Sequence, residues 1–199
     1  FLVGEEFIGD DSVCLVLGDN IFDGPGFAID LSKAVENTDG ATVFGYYVED
    51  PRPFGVVEID KTGKALSIEE KPANPKSHYI IPGLYFYDNH VVDIAKTVQP
   101  SARGELEITA VNNVYLEEGK LSVIKLGPRF CWYDTGTAES MFQASEAVRD
   151  IQHKQKRMVG CLEELAYKKG FINRNQLLET AEGLKMTEYG RYLLRLADE

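Results

Sequence analysis

The sequence predicts an α/β fold, a mixed sheet followed by a helical C-terminal region. Three observations carry that prediction. Short apolar, β-branched runs alternate with segments of helical spacing from Val13 to Tyr133, the pattern of strands joined by helices. Two of the strands end in an aspartate within a turn, Asp19 and Asp134. Beyond Ala138 no strand-like run occurs and helical spacing takes over, which divides the chain into residues 1–138 and 139–199.

Taken in order, Phe1 to Gly9 reads as the end of an amphipathic helix entered without its beginning. No initiator methionine precedes it, so the expectation is a chain whose first part lies outside these residues. Val13-Cys14-Leu15-Val16-Leu17 is five consecutive apolar residues, expected as a strand buried on both faces, and it ends at Gly18-Asp19-Asn20. Ligands of open α/β sheets sit beyond the carboxyl ends of strands, which makes Asp19 a candidate metal ligand or proton acceptor. The plainer alternative is that Asp19 caps a helix starting near Ile21. After the Gly24-Pro25-Gly26 loop, Phe27 to Asn37 has the spacing of a short amphipathic helix, and Ala41 to Val48 is β-branched and aromatic, a strand.

Residues 54–60 and 64–70 flank Lys61-Thr62-Gly63, a hairpin signal with glycine where a positive φ is wanted. The hairpin delivers Glu69-Glu70-Lys71-Pro72. Ile80 to Tyr87 reads as a buried strand broken by Pro82-Gly83, and Asn89 to Val98 as a helix that stops before Pro100. Ser101 to Ile108 has the acidic chemistry of a further helix start, with the helix running to about Glu118. Leu121 to Leu126 is a strand, and Phe130-Cys131-Trp132-Tyr133 leads into Asp134-Thr135-Gly136-Thr137. Helices follow at 139–155, 161–169, 175–182 and 187–197.

Composition narrows the function classes. At 199 residues, 44% hydrophobic and 27% charged, the chain lies in the ordinary globular range. A formal charge of −11 argues against a dedicated nucleic-acid binder, which needs a basic stripe to displace counterions. Any anionic ligand must then be held by a few local positive groups. Cys14, Cys131 and Cys161 show no CxxC spacing and read as reduced core thiols of a cytoplasmic protein. No apolar run approaches the roughly 18 to 20 residues of a membrane span, and the N-terminus has neither a basic leader nor a small-residue cleavage site. The expected partners are therefore small molecules, with neither membrane nor nucleic acid among them.

Paired strand-end carboxylates such as Asp19 and Asp134 suit Mg²⁺, which takes one or two carboxylates and fills its shell with water and phosphate oxygens. Such an ion neutralises charge on a transferring phosphoryl group. Glu70 beside Lys71 pairs an acceptor for sugar hydroxyls with a cation for phosphate; the plainer alternative is a solvated hairpin end with an ion pair worth less than about 1 kcal/mol. Arg103, beside Gly104, can hold phosphate with its fork of donors or be simple loop solvation.

The stretches LVLGDNIF (15–22), FGVVEID (54–60), EEKP (69–72), GLYFYD (83–88), PSARGELEIT (100–109) and WYDTGT (132–137) resemble the sugar nucleotidylyltransferases. The resemblance is closest to the branch that activates glucose 1-phosphate with dTTP, and it extends over essentially the whole chain. It implies a mixed, mostly parallel Rossmann-like sheet of the nucleotide-diphospho-sugar transferase type, N-terminally truncated. It also implies Mg²⁺-dependent transfer from dTTP to glucose 1-phosphate, giving dTDP-glucose and pyrophosphate. By motif, Asp19 and Asp134 resemble the catalytic metal ligands. Gly55, Glu70 and the backbone near Ile81 resemble the hexose contacts, and Lys71, Tyr85 and Arg103 the groups that hold the sugar phosphate. The same chemistry with UTP or CTP, or a non-catalytic sugar-nucleotide-binding or assembly fragment, are the alternatives.

Departures from the family pattern carry expectations of their own. The family's glycine-rich loop with its arginine does not occur in these residues, and Gly24-Pro25-Gly26 lacks the basic side chain, so residues 1–199 alone are expected not to synthesise dTDP-glucose. Asp23 stands where an aromatic residue is usual, and Pro128-Arg129 and Lys168 stand where the family has arginines of a second, regulatory nucleotide site; weak feedback binding is expected. Phe54 replaces a common tyrosine. The family's tetramers and the apolar stripes of the C-terminal helices imply a homo-oligomer.

Overall fold

Strand β3 (Ala41–Tyr47) is the axis of the larger unit, and its first five residues are all buried. Val43 packs into one apolar cluster and Phe44 into another, so both faces of the strand are covered and the hydrophobic run shows no alternation. The structure is a computed structural model that describes residues 1–198 and divides into two units, Phe1–Gly136 and Thr137–Glu199.

One edge of β3 pairs in parallel with β8 (Leu121–Lys125), from Ala41↔Leu121 to Gly45↔Lys125. Its other edge is shared. Ala41–Val43 pairs antiparallel with β7 (Leu84–Tyr87), and Tyr46–Tyr47 pairs antiparallel with β6 (Tyr79–Ile80). Pro82-Gly83 separates those two short strands, as the break in the apolar run predicts. Strand β7 carries β1 (Val13–Val16) at one end of the sheet. Strand β6 carries β4 (Gly55–Ile59), which forms a hairpin with β5 (Ala65–Glu70). The hairpin turn is closed by Asp60, whose Oδ1 accepts from Thr62 N and Oγ1 at 2.7 Å and from Lys64 N at 2.9 Å, with Gly63 at φ 95°.

The sheet is mixed, but it is not mostly parallel: β3–β8 is the one parallel pair among the described strands. Strands β1 and β3 do run the same way, joined through helix α2 (Phe27–Glu36), yet antiparallel β7 lies between them. The crossover is visible in the sequence; the strand inserted into it is not. β1 is also an edge strand with alternating burial, and Val16 is 55% exposed. The expectation of a strand buried on both faces fails for that reason. Cys14 and Cys131 are exposed and only Cys161 is buried, which corrects the reading of the cysteines as core thiols.

One face of the sheet is covered by α3 (Val91–Thr97) and α4 (Ile108–Glu117), which contribute Val91, Val92, Ile94, Val111 and Tyr115 to the main core. The other face packs against α2 through Phe27, Leu31 and Ala34. Helix α4 begins seven residues beyond Ser101, at Ile108, because Ser101 to Glu107 forms a loop with Gly104 at φ 78°. The N-terminal residues form a 3-10 turn (Leu2–Gly4) and a single helical turn α1 (Glu5–Ile8). A separate two-stranded ribbon pairs β2 (Asn20–Asp23) with β9 (Cys131–Asp134), from Asn20↔Asp134 to Asp23↔Cys131.

The second unit holds α5 (Ala138–Gln155), α6 (Leu162–Lys168), α7 (Arg174–Gly183) and α8 (Glu188–Asp198). Its core is Cys161, Leu177, Ala181, Tyr192, Leu193, Leu196 and Ala197. Reciprocal capping boxes, Thr137 with Ser140 and Asn173 with Gln176, satisfy the free amides at the starts of α5 and α7. No described helix is long and apolar enough to cross a membrane.

Candidate active site

The turn between β1 and β2 sets Asp19 at a corner. Leu17 N donates to Gly83 O at 2.9 Å, and Asn20 N donates back to Leu17 O at 3.1 Å, closing a tight turn. Gly83 is needed here, because a Cβ on it would lie 2.7 Å from the Leu17 side chain. The carbonyl of Asp19 accepts from both the backbone N (2.8 Å) and Oγ1 (3.0 Å) of Thr135. Since Asn20 lies opposite Asp134 in the ribbon, Asp19 and Asp134 end up at the same end of β2–β9. Asp19 Oδ1 accepts from Asn20 Nδ2 at 2.8 Å and Asp134 Oδ1 from Gly136 N at 3.1 Å; neither Oδ2 receives a hydrogen bond from a described residue.

That donor set fits Mg²⁺. Among the described residues no three His, Cys, Asp or Glu side chains gather as a full metal cage. An ion that needs only one or two carboxylates and completes its shell with water and phosphate is the kind two spare carboxylate oxygens can hold.

The sheet supplies the second half of the site. Gly55 lies opposite Glu70 in the hairpin, and Gly55 O accepts from Ile81 N at 2.8 Å. Thr109, on the first turn of α4, donates to Glu70 Oε2 at 2.5 Å. A Cβ on Gly55 would stand 3.3 Å from both Glu70 Oε2 and Thr109 Oγ1, so the missing side chain leaves that bond undisturbed. Lys71 N donates to Phe54 O at 3.0 Å as the chain leaves β5 with Lys71 at φ 45°. A left-handed lysine is costly, and such strain clusters at functional sites. Its ammonium has no carboxylate partner among the described residues, whereas Glu69 is paired with Lys76 at 2.5 Å.

Tyr85 is 4% exposed, and burial, reinforced by the negative charge of Glu70, holds its phenol protonated well above the usual tyrosine range. Arg103 is bonded to Glu105 within its own loop and lies 3.5 Å from Glu107, which also accepts from Ser101 Oγ at 2.9 Å. The bond to Glu105 raises its already high pKa further, with the fields of Glu107 and Glu70 adding to it. Gly55, Glu70 and Ile81 are thus directly connected, Lys71 follows through Phe54, and Tyr85 and Arg103 sit within the field of Glu70.

Trp132 joins the two halves. Its ring meets Phe54 edge-on at 5.3 Å and Tyr46 at 5.7 Å, while its Nε1 donates to Asn20 Oδ1 at 2.6 Å. Asn20, Thr109 and Trp132 escaped the reading of the sequence as site residues. All three stand inside quoted motifs, so the signal was adjacency: Asn20 follows Asp19, Trp132 precedes Asp134 by two, and Thr109 opens the helix after Arg103.

A mixed α/β sheet thus carries two carboxylates at a ribbon end, a glycine-floored carboxylate and an unpaired lysine. The family model described as nucleotidyl transferase matches residues 1–151, and the chain belongs to that family. It is 53% identical over 196 residues to the glucose-1-phosphate thymidylyltransferase of Neisseria meningitidis, covering 98% of this chain and 68% of that protein. It is 52% identical over 198 residues to the enzyme of the same name from Mycolicibacterium smegmatis, again covering 68% of it. Among solved structures, one from Bacillus anthracis described as a glucose-1-phosphate thymidylyltransferase in complex with sucrose aligns with TM-score 0.66 and 41% identity, over 75% of this chain and 59% of that one. A UDP-glucose pyrophosphorylase complexed with UDP-glucose shares the fold at TM-score 0.65 and 22% identity, over 78% of this chain and 61% of that one. The chain therefore spans about two thirds of the length of its curated relatives and less of the solved structures.

Proposed function

We propose that the protein carrying this chain transfers a thymidylyl group from dTTP to glucose 1-phosphate, giving dTDP-glucose and pyrophosphate. The observation that carries the reading is the Glu70 carboxylate held by Thr109 over Gly55, next to an unpaired Lys71, in a chain about half identical to proteins named for that reaction. With Oε2 engaged, Glu70 Oε1 accepts from a hexose hydroxyl, and the Gly55–Ile81 backbone forms the floor beneath the ring. Lys71 and Arg103 supply the local positive charge that a chain of net −11 needs to hold a sugar phosphate. Tyr85, kept neutral, donates a hydrogen bond to it.

A phosphate oxygen of glucose 1-phosphate attacks the α-phosphorus of dTTP in line, forming the new P–O bond. The bond from that phosphorus to the oxygen bridging to the β-phosphate breaks, and pyrophosphate leaves with the electron pair. Holding the attacking oxygen and the phosphorus in line is most of what such a transfer asks of a protein. Asp19 and Asp134 are the residues that hold Mg²⁺, which when bound neutralises triphosphate charge.

The test is pyrophosphate release by the full-length protein with glucose 1-phosphate and each of dTTP, UTP and CTP. Product with dTTP at the highest kcat/KM is the expected result. Preference for UTP or CTP moves the reading to the sister reaction, and binding of dTDP-glucose without turnover of any nucleotide replaces it with a sugar-nucleotide-binding protein.

A further inference from the structure

Asn112, on α4, is 1% exposed and its amide is only half used. Oδ1 accepts from the Tyr87 hydroxyl at 2.7 Å, while Nδ2 has no acceptor among the described residues. The residues one turn away on either side are satisfied: Thr109 donates to Glu70, and Tyr115 donates to Asp88 Oδ1 at 2.6 Å. Residues 109, 112 and 115 thus form a polar row along the sheet-facing side of α4, and the middle member alone keeps unused donors. A buried amide left without a partner is costly, and native proteins retain such groups where water or function occupies them.

The tyrosines across from this row show where those donors lead. Tyr85 and Tyr87 are two apart on β7 and project from the same face of the strand. Their rings are 6.1 Å apart and within 9° of parallel. Tyr87 is held from both sides, because it also stacks on Tyr115 at 5.6 Å and bonds Asn112. Tyr85 has only the stack on Tyr87, and no described residue bonds its hydroxyl. The near-parallel stack sets the Tyr85 phenol alongside the Tyr87 phenol that Asn112 already bonds, and buried waters characteristically join polar groups left over in this way.

We propose that Asn112 is a positioning residue for Tyr85: its Nδ2 donates to a buried water that also bonds the Tyr85 hydroxyl and fixes that phenol beside the sugar-phosphate site. The functional part of this inference rests on the role given to Tyr85 in the proposed reaction; the Asn112–water–Tyr85 link does not.

A crystal structure of the full-length wild-type protein tests the link directly. Density for one water within hydrogen-bond distance of both Asn112 Nδ2 and Tyr85 Oη is expected, and an amide bonded elsewhere, or no such water, overturns the proposal. In kinetics, Asn112→Leu is expected to raise KM for glucose 1-phosphate about fivefold with KM for dTTP unchanged, and to add nothing in a Tyr85→Phe background, as coupled neighbours behave. Asn112→Asp stays neutral when buried and keeps one donor and one acceptor, so it should restore KM to within about twofold of wild type. A loss of thermal stability without the selective KM change, or additive effects with Tyr85→Phe, makes Asn112 structural and rejects the positioning role. If the wild-type protein turns over no nucleotide, the proposed function fails by itself, and the water's presence or absence still decides the link.

Discussion

Asn20 Oδ1 accepts two hydrogen bonds at once, from Trp132 Nε1 at 2.6 Å and from Gly83 N at 3.0 Å. One side-chain oxygen therefore ties the β2–β9 ribbon to the break between β6 and β7, and the same amide donates to Asp19 through Nδ2 at 2.8 Å. Asn20 fixes the carboxylate end of the site to the sheet.

Replacing Asn20 by leucine leaves two donors without an acceptor, and each partly buried donor so stranded costs about 1–3 kcal/mol. The expected result is a lower melting temperature together with at least a tenfold loss of kcat/KM. Asn20→Asp keeps the acceptor and removes the donor to Asp19, placing like charges side by side. It should fold and melt near wild type while losing activity. Equal activity of Asn20→Asp and wild type in a pyrophosphate-release assay contradicts a role in presenting Asp19.

The bond between Thr109 and Glu70 depends on an empty space over Gly55. A Cβ there sits 3.3 Å from both oxygens, tight enough that one of them must give way. Gly55→Ala is expected to keep the β4–β5 hairpin, since alanine is tolerated in strands, and to raise KM for glucose 1-phosphate about tenfold with little change in KM for the nucleotide, an effect of about 1.4 kcal/mol on sugar binding. Separate KM measurements for the two substrates check it; equal changes in both place the effect on the fold.

The parts of this architecture legible in the sequence are those fixed by near neighbours. The Asp60–Gly63 turn closes through bonds within four residues, so its chemistry is written in the letters around Lys61-Thr62-Gly63. Helices α5 to α8 begin and end within two residues of the limits their periodicity suggests. The insertion of β7 between β1 and β3 depends on pairings between distant segments, and no local pattern encodes it. The site divides in the same way. Asp19 and Asp134 stand out as acids ending apolar strands, but the work of Thr109 and Asn20 consists of bonds to other side chains. Those appear only once the Gly55↔Glu70 register and the Asn20↔Asp134 pairing are known.

The ribbon end predicts a specific dependence on metal. Each aspartate has one oxygen already engaged, by Asn20 or by Gly136, and one spare. Asp19→Asn and Asp134→Asn each remove one spare anionic oxygen. Either substitution should raise the Mg²⁺ concentration needed for half-maximal activity at least tenfold, and chelator should abolish wild-type activity. Melting temperatures measured in chelator should be unchanged, because neither Oδ2 bonds a described residue. A metal-independent residual rate in both variants, equal to wild type, rules out the assignment.

Tyr192 gives the helical unit a defined response to alkali. Burial first, and then its 2.5 Å bond to Glu164 Oε2, push its phenol from the ordinary value of 10.0 up to about 12. The charged groups around it are Glu164, itself paired with Lys168 at 2.5 Å, and Arg195, which lies over the Tyr192 ring at 5.7 Å. Because the folded pKa lies above the unfolded one, the folded unit binds the proton more tightly. That contribution to stability is fully present below pH 10 and is lost as the pH rises through about 12. Above it, a phenolate facing Glu164 cannot be satisfied. Chemical denaturation followed by far-ultraviolet circular dichroism at a series of pH values should therefore show stability falling between pH 10 and 12. Tyr192→Phe lacks the titrating hydroxyl, so its curve should be lower below pH 10 and flatter across the same window. Parallel curves for the two proteins assign the alkaline loss to groups other than Tyr192.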